Sequence, residues 1–344
     1  HTTNRLFGVT PNIYGNLQSS GGSSGGAAVA VAANLIPFAD GTDMMGSCRT
    51  PAAFANIYGF RPTPGLIPDY RLNPKKENIP VLSTPGCLAR TPDDMSILLD
   101  NVVGKDNSDS FSFSLNGSFE NARINDQNLS NIKIGWLSDM NGSYNYDLEI
   151  DEMCKKQLKN LEANKIKIEN LKTKINANKL WDSWGTLRAK SIYEDIVSMN
   201  IKDINAMTTQ AIWEYEKGIK LKENDIETAL NLRKQLFKDL EETFDSNDFL
   251  VLPSQQTFPF DKNLKYPEKI NNYEMDTYHR WIEVHILASL FYLPSISIPV
   301  GFSNNGFPIG MQIIGKHKED LKLIAFAKKY EQIFNFSKTK PKLS

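Results

Sequence analysis

The stretch from Gly21 to Arg49 constrains this chain more than any other. It reads Gly-Gly-Ser-Ser-Gly-Gly over 21–26, then a run of small apolar residues from Ala27 to Ala33. Gly41-Thr42-Asp43-Met44-Met45-Gly46-Ser47-Cys48-Arg49 follows. Two glycine-bordered serines, Ser23 and Ser47, stand 24 positions apart, and glycines at such points let backbone N–H groups approach a ligand closely. A Gly/Ser linker has similar composition, but a linker does not feed directly into an apolar helix and a second glycine-bracketed serine. Phosphate-cradling loops are excluded as well: Ala27 follows the last glycine where a P-loop needs Gly-Lys-Ser/Thr, and no Gly-x-Gly-x-x-Gly is present. The run from Ala27 predicts a tightly packed, buried helix whose positive end lies beside the first loop.

The rest of the chain narrows the class. At 344 residues it can bury one large core or two ordinary ones. Its 40% hydrophobic and 23% charged residues are those of an ordinary globular protein. A net charge of −1 gives no electrostatic reason to expect nucleic acid or an anionic membrane as partner. Cys48, Cys87 and Cys154 form no CxxC pair and no metal-ligand spacing with the histidines, so no metal or other cofactor is expected. They suit a reducing compartment, and a cytoplasmic location is expected. No apolar run is long enough to span a membrane.

Residues 21–62 resemble the signature stretch of the amidase signature family of serine hydrolases. The matching words are Gly-Gly-Ser-Ser-Gly-Gly, Gly-Thr-Asp-x-x-Gly-Ser-x-Arg-x-Pro-Ala-Ala-Phe and Tyr58-Gly59-Phe60-Arg61-Pro62-Thr63. The resemblance implies an α/β/α layered fold with a large mixed central sheet. It implies Ser47 as nucleophile, Ser23 as a proton relay joined by a cis peptide bond, and a lysine further upstream as base. The backbone N–H groups of Met44, Met45, Gly46 and Ser47 would hold the oxyanion, and Ser24, Asp43 and Arg49 would support substrate or structure. Asp43 and Arg49 are expected to form a local charge pair bracing the turn. The implied activity is hydrolysis of a small-molecule carboxamide through an acyl-Ser47 intermediate.

Two departures from the family pattern matter. No lysine precedes Lys75 and Lys76, which lie in the polar segment Asn73–Asn78 where a buried base is not expected. The expectation is that the base lies in a missing N-terminal segment or a partner chain; a non-catalytic protein is the alternative. Met44-Met45 stands where most members carry a small or branched residue and then glycine, which narrows or reorients the acyl pocket. Asp-Met-Met-Gly-Ser is also similar to members that hydrolyse cyclic aminohexanoate dimers. A further alternative is the family's glutamine-dependent amidotransferase subunit, which requires a partner protein; an oligomer is compatible with either.

Read in order, the chain is one amidase signature domain over 1–344, with a signature core over 1–104. Leu35–Ala39 reads as a buried strand and Asp93–Gly104 as a helix stopped by glycine. Residues 105–130 read as a solvent loop. Ile132–Leu137, the amphipathic helix 148–164 and Lys165–Glu169 make a β–α–β unit. A helix-rich, variable region over about 178–247 carries Ile226, Leu230, Leu236, Phe237, Leu240 and Phe244 near helical spacing and would cover the substrate. Trp181, Trp184 and Trp213 read as core rather than a ligand box. Phe249–Pro253 reads as a buried strand, and His279 and His285 as hydrogen-bonded core residues on an apolar helix. Residues 294–334 form a strand–strand–helix unit, with Asn304-Asn305-Gly306 as the turn.

Overall fold

The computed structural model describes residues 1–69, 80–201 and 203–342. Lys75 and Lys76 lie outside the described residues. An eight-stranded mixed sheet runs through the middle of the molecule. Its strands are β1 (Phe38–Asp43), β2 (Tyr58–Arg61), β3 (Thr84–Ala89), β4 (Lys133–Trp136), β5 (Lys167–Asn170), β6 (Phe249–Pro253), β7 (Ser295–Phe302) and β8 (Pro308–Gly315). They lie in the order β1-β3-β2-β7-β8-β6-β4-β5. Neighbours are antiparallel from β1 to β6, and β6-β4 and β4-β5 are parallel. The parallel end is the expected β–α–β unit, closed by α4 (Leu148–Ala163), which buries Ile150, Cys154, Leu158 and Leu161 against the sheet.

Alternation along β6 sends Phe249 and Val251 to one face and Leu250 and Leu252 to the other. The first face is covered by α3 (Pro92–Val102), α4 and α9 (Asp320–Phe334) through Met95, Leu99, Leu158, Ile324 and Phe326. Thr91 caps α3 by accepting the Asp94 N–H at 3.0 Å, and Pro92 occupies the first turn, where its missing N–H costs nothing. The second face is covered by α5 (Ala177–Ser198), α7 (Glu223–Phe244) and α8 (Ile286–Leu290), with Leu180, Trp184, Leu187, Leu236 and Leu240 buried between them, and α6 (Thr209–Ile219) packs on α5 at Gly218. Each such side chain contributes about 1.5–3 kcal/mol, so the helical cover is held by its own apolar seam. The layers are those of the expected α/β/α arrangement.

Several local expectations are corrected. Leu35 and Ile36 do not enter a buried strand; they are 75% and 39% exposed, and β1 starts at Phe38 and continues through Gly41-Thr42-Asp43. Edge pairing with β3, rather than apolar burial, holds this segment extended. The helix after the Gly/Ser loop, α1 (Gly25–Ala32), buries Gly25, Ala28, Val31 and Ala32, so it is buried on one face only. Strand β5 is an edge with Lys167, Glu169 and Asn170 exposed, and Ile168 is half-buried. Phe237 is 42% exposed despite its helical spacing. Residues 105–130 are irregular up to a 3-10 helix that starts at Asp126, and they bury Asp109, Phe119 and Leu129.

Candidate functional site

The turn that carries Ser47 joins β1 to α2 (Arg49–Ala55), a short helix laid directly on the sheet. Bare backbone beneath it allows the approach. A Cβ on Gly59 would stand 2.5 Å from Ala52 Cβ, and one on Gly310 would stand 2.6 Å from Ala53 Cβ. Within the turn, Gly46 has φ +82°, and a Cβ there would stand 2.6 Å from His285 Nε2. Real Cβ atoms do not come that close, so conformation and space both demand glycine.

Asp43 organises this turn from complete burial. Its carboxylate accepts Arg49 Nε at 3.0 Å and Nη2 at 2.8 Å, a bidentate pair, and accepts the backbone N–H of Gly46 at 2.9 Å and of Cys48 at 3.2 Å. Arg61 Nη1 lies 3.7 Å from Oδ1 and also donates to the Asp43 carbonyl. Burial by itself would raise the Asp43 pKa, but the Arg49 guanidinium, aided by Arg61, holds it well below the usual carboxylate range. Arg49 Nη1 donates to Gln312 Oε1 at 2.7 Å, tying the turn to β8. The expected Asp43–Arg49 brace is thus present, with Arg61 and Gln312 as further members.

His285 packs against the same turn. Its Nε2 lies 2.8 Å from Thr50 Oγ1, and burial, then the nearby Arg49, push its pKa down to about 3, so the ring is neutral. It is the expected hydrogen-bonded core histidine. Cys48 is buried, and burial, followed by the Asp43 charge, pushes its thiol well above the ordinary range. A thiol so held is not a nucleophile.

The two serine segments meet through the Ser24 N–H, which donates to the Ser47 carbonyl at 3.1 Å. The Gly22–Ser23 peptide bond is cis. Thr2 Oγ1 pins the loop: it lies 3.0 Å from the Gly21 carbonyl and 3.1 Å from that of Ser23, and accepts the Gly25 N–H at 3.0 Å. Ser23 is exposed, while Ser24 and Ser47 are half-buried. Among the described residues neither the Ser23 nor the Ser47 hydroxyl makes a direct protein hydrogen bond, and this includes one to the other. Of the four expected oxyanion donors, the Gly46 N–H is already engaged by Asp43 Oδ1. Those of Met44, Met45 and Ser47 have no protein acceptor among the described hydrogen bonds.

The helical cover reaches the turn through α5. Arg188 Nη1 lies 2.7 Å from Met44 Sδ, and its other nitrogens bind Glu214 on α6, one at 3.0 Å. Of the three tryptophans, Trp184 is core, but Trp213 is 42% exposed and helps to line an open pocket of about 240 Å³ with Tyr266 and Tyr278. Tyr278 Oη lies 3.1 Å from the His1 main-chain nitrogen, and a Cβ on Gly22 would stand 2.8 Å from His1 Cα. The pocket therefore sits one residue away from the Ser23 loop. Thr2, Arg188 and Glu214 carry no signal in the sequence, because no local motif marks contacts made across so much chain. Among the described residues no cluster of His, Cys, Asp and Glu is placed to hold a metal ion, and no helix is long and apolar enough to cross a membrane.

Comparison with known proteins bears on the family and the fold. The family model described as Amidase matches residues 1–324. Among curated proteins, a glutamyl-tRNA(Gln) amidotransferase subunit from Legionella pneumophila (strain Paris) is 30% identical over 369 residues, covering 98% of this chain and 72% of that protein. Its counterpart in Natranaerobius thermophilus is 28% identical over 371 residues, covering 99% and 71%. Among solved structures, a bacterial aryl acylamidase of the amidase signature family superposes with a TM-score of 0.88 at 27% identity, covering 98% of this chain and 70% of that one. A 6-aminohexanoate cyclic dimer hydrolase complexed with substrate shares the fold, with a TM-score of 0.84 at 21% identity and coverage of 99% and 73%. The chain belongs to the amidase family.

Proposed function

We propose that this protein hydrolyses a carboxamide C–N bond through an acyl-enzyme on Ser47. Family membership supports an amide hydrolase. The observation that carries the residue assignment is the buried Asp43–Arg49 brace, which fixes the Ser47 turn while the Ser24–Ser47 hydrogen bond brings the Ser23 loop beside it. In this reading Ser47 Oγ attacks the carbonyl carbon, and its proton passes to Ser23 and on to a base. The developing oxyanion takes backbone N–H groups of Met44, Met45 and Ser47; one such donor is worth about 3 kcal/mol of barrier. Ser23 returns a proton to the leaving nitrogen, and water then releases the acyl group from Ser47. Asp43 and Arg49 act by positioning.

The lysine that the family resemblance gives as base has no counterpart in residues 1–69. A second reading rests on a different observation, that among the described residues the Ser23 and Ser47 hydroxyls make no hydrogen bond to each other: the protein binds an amide without turning it over. The names of the curated relatives motivate a third, in which glutamine is the amide and a partner protein receives the ammonia.

One experiment separates them. The chain is treated with a fluorophosphonate that traps activated serines and is assayed on aryl, aliphatic and cyclic amides and on glutamine. The proposal expects an adduct on Ser47 that Ser47→Ala abolishes, and about 10²-fold slower turnover in Ser23→Ala. Hydrolysis that survives Ser47→Ala overturns the assignment. Neither adduct nor hydrolysis supports the second reading, and ammonia release confined to glutamine supports the third.

A further inference from the structure

Arg188 is placed where a substrate-binding cation would be useful. Its guanidinium touches the thioether of Met44, three residues before Ser47, so an acyl chain bound at Ser47 and running past Met44 meets it. The charge, however, is already taken. Glu214 binds it through two nitrogens, and the two side chains are only 15% and 8% exposed. Trp184 covers the guanidinium from one side, with its ring centroid 5.2 Å from Cζ. His279 Nε2 lies 3.5 Å from the same Glu214 carboxylate, and burial and the neighbouring Arg188 keep that ring neutral. The Trp213 ring lies tilted beside His279, centroids 6.1 Å apart, and also lines the open pocket beside Tyr278. Lys217 is exposed, with its Nζ 5.4 Å from the Trp213 ring centroid.

A binding site for a carboxylate leaves a guanidinium fork free to make two parallel hydrogen bonds. Here the fork faces a built-in carboxylate, and a second anion brought beside it would meet the Glu214 charge as well. Like charges set close together disfavour binding, and discrimination of this kind is how a site rejects the wrong ligand. We infer that the Arg188–Glu214 pair makes the wall beside Met44 charge-neutral and selects uncharged amides over amides of the same shape that carry a carboxylate. This rests on the assignment of Ser47 as the reacting residue and adds the charge class of the substrate to it. Arg188 and Glu214 are specificity-determining rather than catalytic.

The test uses two ligands that differ in one group, adipamide and adipamate, titrated calorimetrically into the Ser47→Ala chain so that binding is read without turnover. The expected preference is at least about tenfold for adipamide. Glu214→Gln keeps the shape, releases the Arg188 fork and should shift the preference toward adipamate by about tenfold or more. The double variant Arg188→Gln with Glu214→Gln should return it to the neutral ligand, which separates a charge effect from a packing effect; thermal unfolding confirms that each variant folds. Equal or tighter binding of adipamate by the Ser47→Ala chain overturns the inference, as does a preference that Glu214→Gln leaves unmoved, or binding of neither ligand. Turnover by the wild-type chain is measured separately. Selective binding with no turnover of any amide would sustain this inference and sink the hydrolase reading, whereas turnover without charge selectivity would do the reverse.

Discussion

Replacing Gly46 with alanine perturbs two terms that the structure separates. The first is conformational: Gly46 sits at φ +82°, where an L-residue pays about 1–2 kcal/mol. The second is steric. The new Cβ would stand 2.6 Å from Nε2 of the buried His285 ring, which is held in place by Thr50 at 2.8 Å, and such overpacking costs about 1–3 kcal/mol. Together the variant should lose about 2–5 kcal/mol, read as a lowered urea midpoint with an unchanged slope. The ring is the cause of the steric share only, so a double-mutant cycle with His285→Ala should recover about 1–3 kcal/mol as coupling and leave the conformational share. A loss below about 1 kcal/mol in the single variant would refute the reasoning at its base. A large loss with no coupling to His285 would refute the steric half.

Asp43→Asn should cost about 3–5 kcal/mol, because it leaves the Arg49 and Arg61 cations buried without their counter-charge; a denaturant midpoint no lower than that of a surface variant would contradict it. His285 gives a pH test. Its folded pKa of about 3 lies below the ordinary 6.5, so its stabilising contribution is complete above pH 6.5 and is lost as pH falls from there toward 3, at up to about 1.4 kcal/mol per unit. Glu283, raised to about 7 by burial, and Asp320, raised to about 6 by burial, slope the opposite way. The informative quantity is therefore wild type minus His285→Asn, measured by urea unfolding between pH 4 and 7. A difference that does not change with pH in that range would reject it.

How much of this is legible in the sequence depends on how local each cause is. Thr91-Pro92 before an apolar helix, Asn304-Asn305-Gly306 between two apolar runs, and the near-continuous apolar runs of β6 and β8 each carry their signal within a few residues. The Asp43–Arg49 pair is legible because both members sit on one tight turn. Leu35 and Ile36 mislead because an apolar run does not by itself mean burial, and β1 is held at the sheet edge by backbone pairing with β3. Phe237 misleads because helical spacing places a residue on a face without saying that the face is covered. The contacts of Thr2 with the Ser23 loop, of Gln312 with Arg49, and of Arg188 with Met44 join residues 21, 263 and 144 positions apart. Pairings of that reach depend on the whole fold.

The glycine floor under α2 has a consequence for order and motion. Gly59, Gly310, Ala52, Ala53 and Ala55, with Ala28 and Ala32 of the adjoining α1, surround the root of the Ser47 turn. None of these side chains has rotamers to lose. Immobilising long side chains costs up to about 2 kcal/mol of conformational entropy each, whereas alanine and glycine cost nothing in side-chain freedom. The turn is thus clamped to the sheet by groups that carry no rotamer entropy into the folded state and have no alternative positions to visit once there. Met44 beside the turn, and Arg188 that meets its thioether, are long side chains with several rotatable bonds each. The two sides of the turn are thus held by different means: the glycine and alanine floor by groups with no side-chain freedom to lose, the Arg188 side by an ion pair with Glu214 that works against the rotamer freedom it removes.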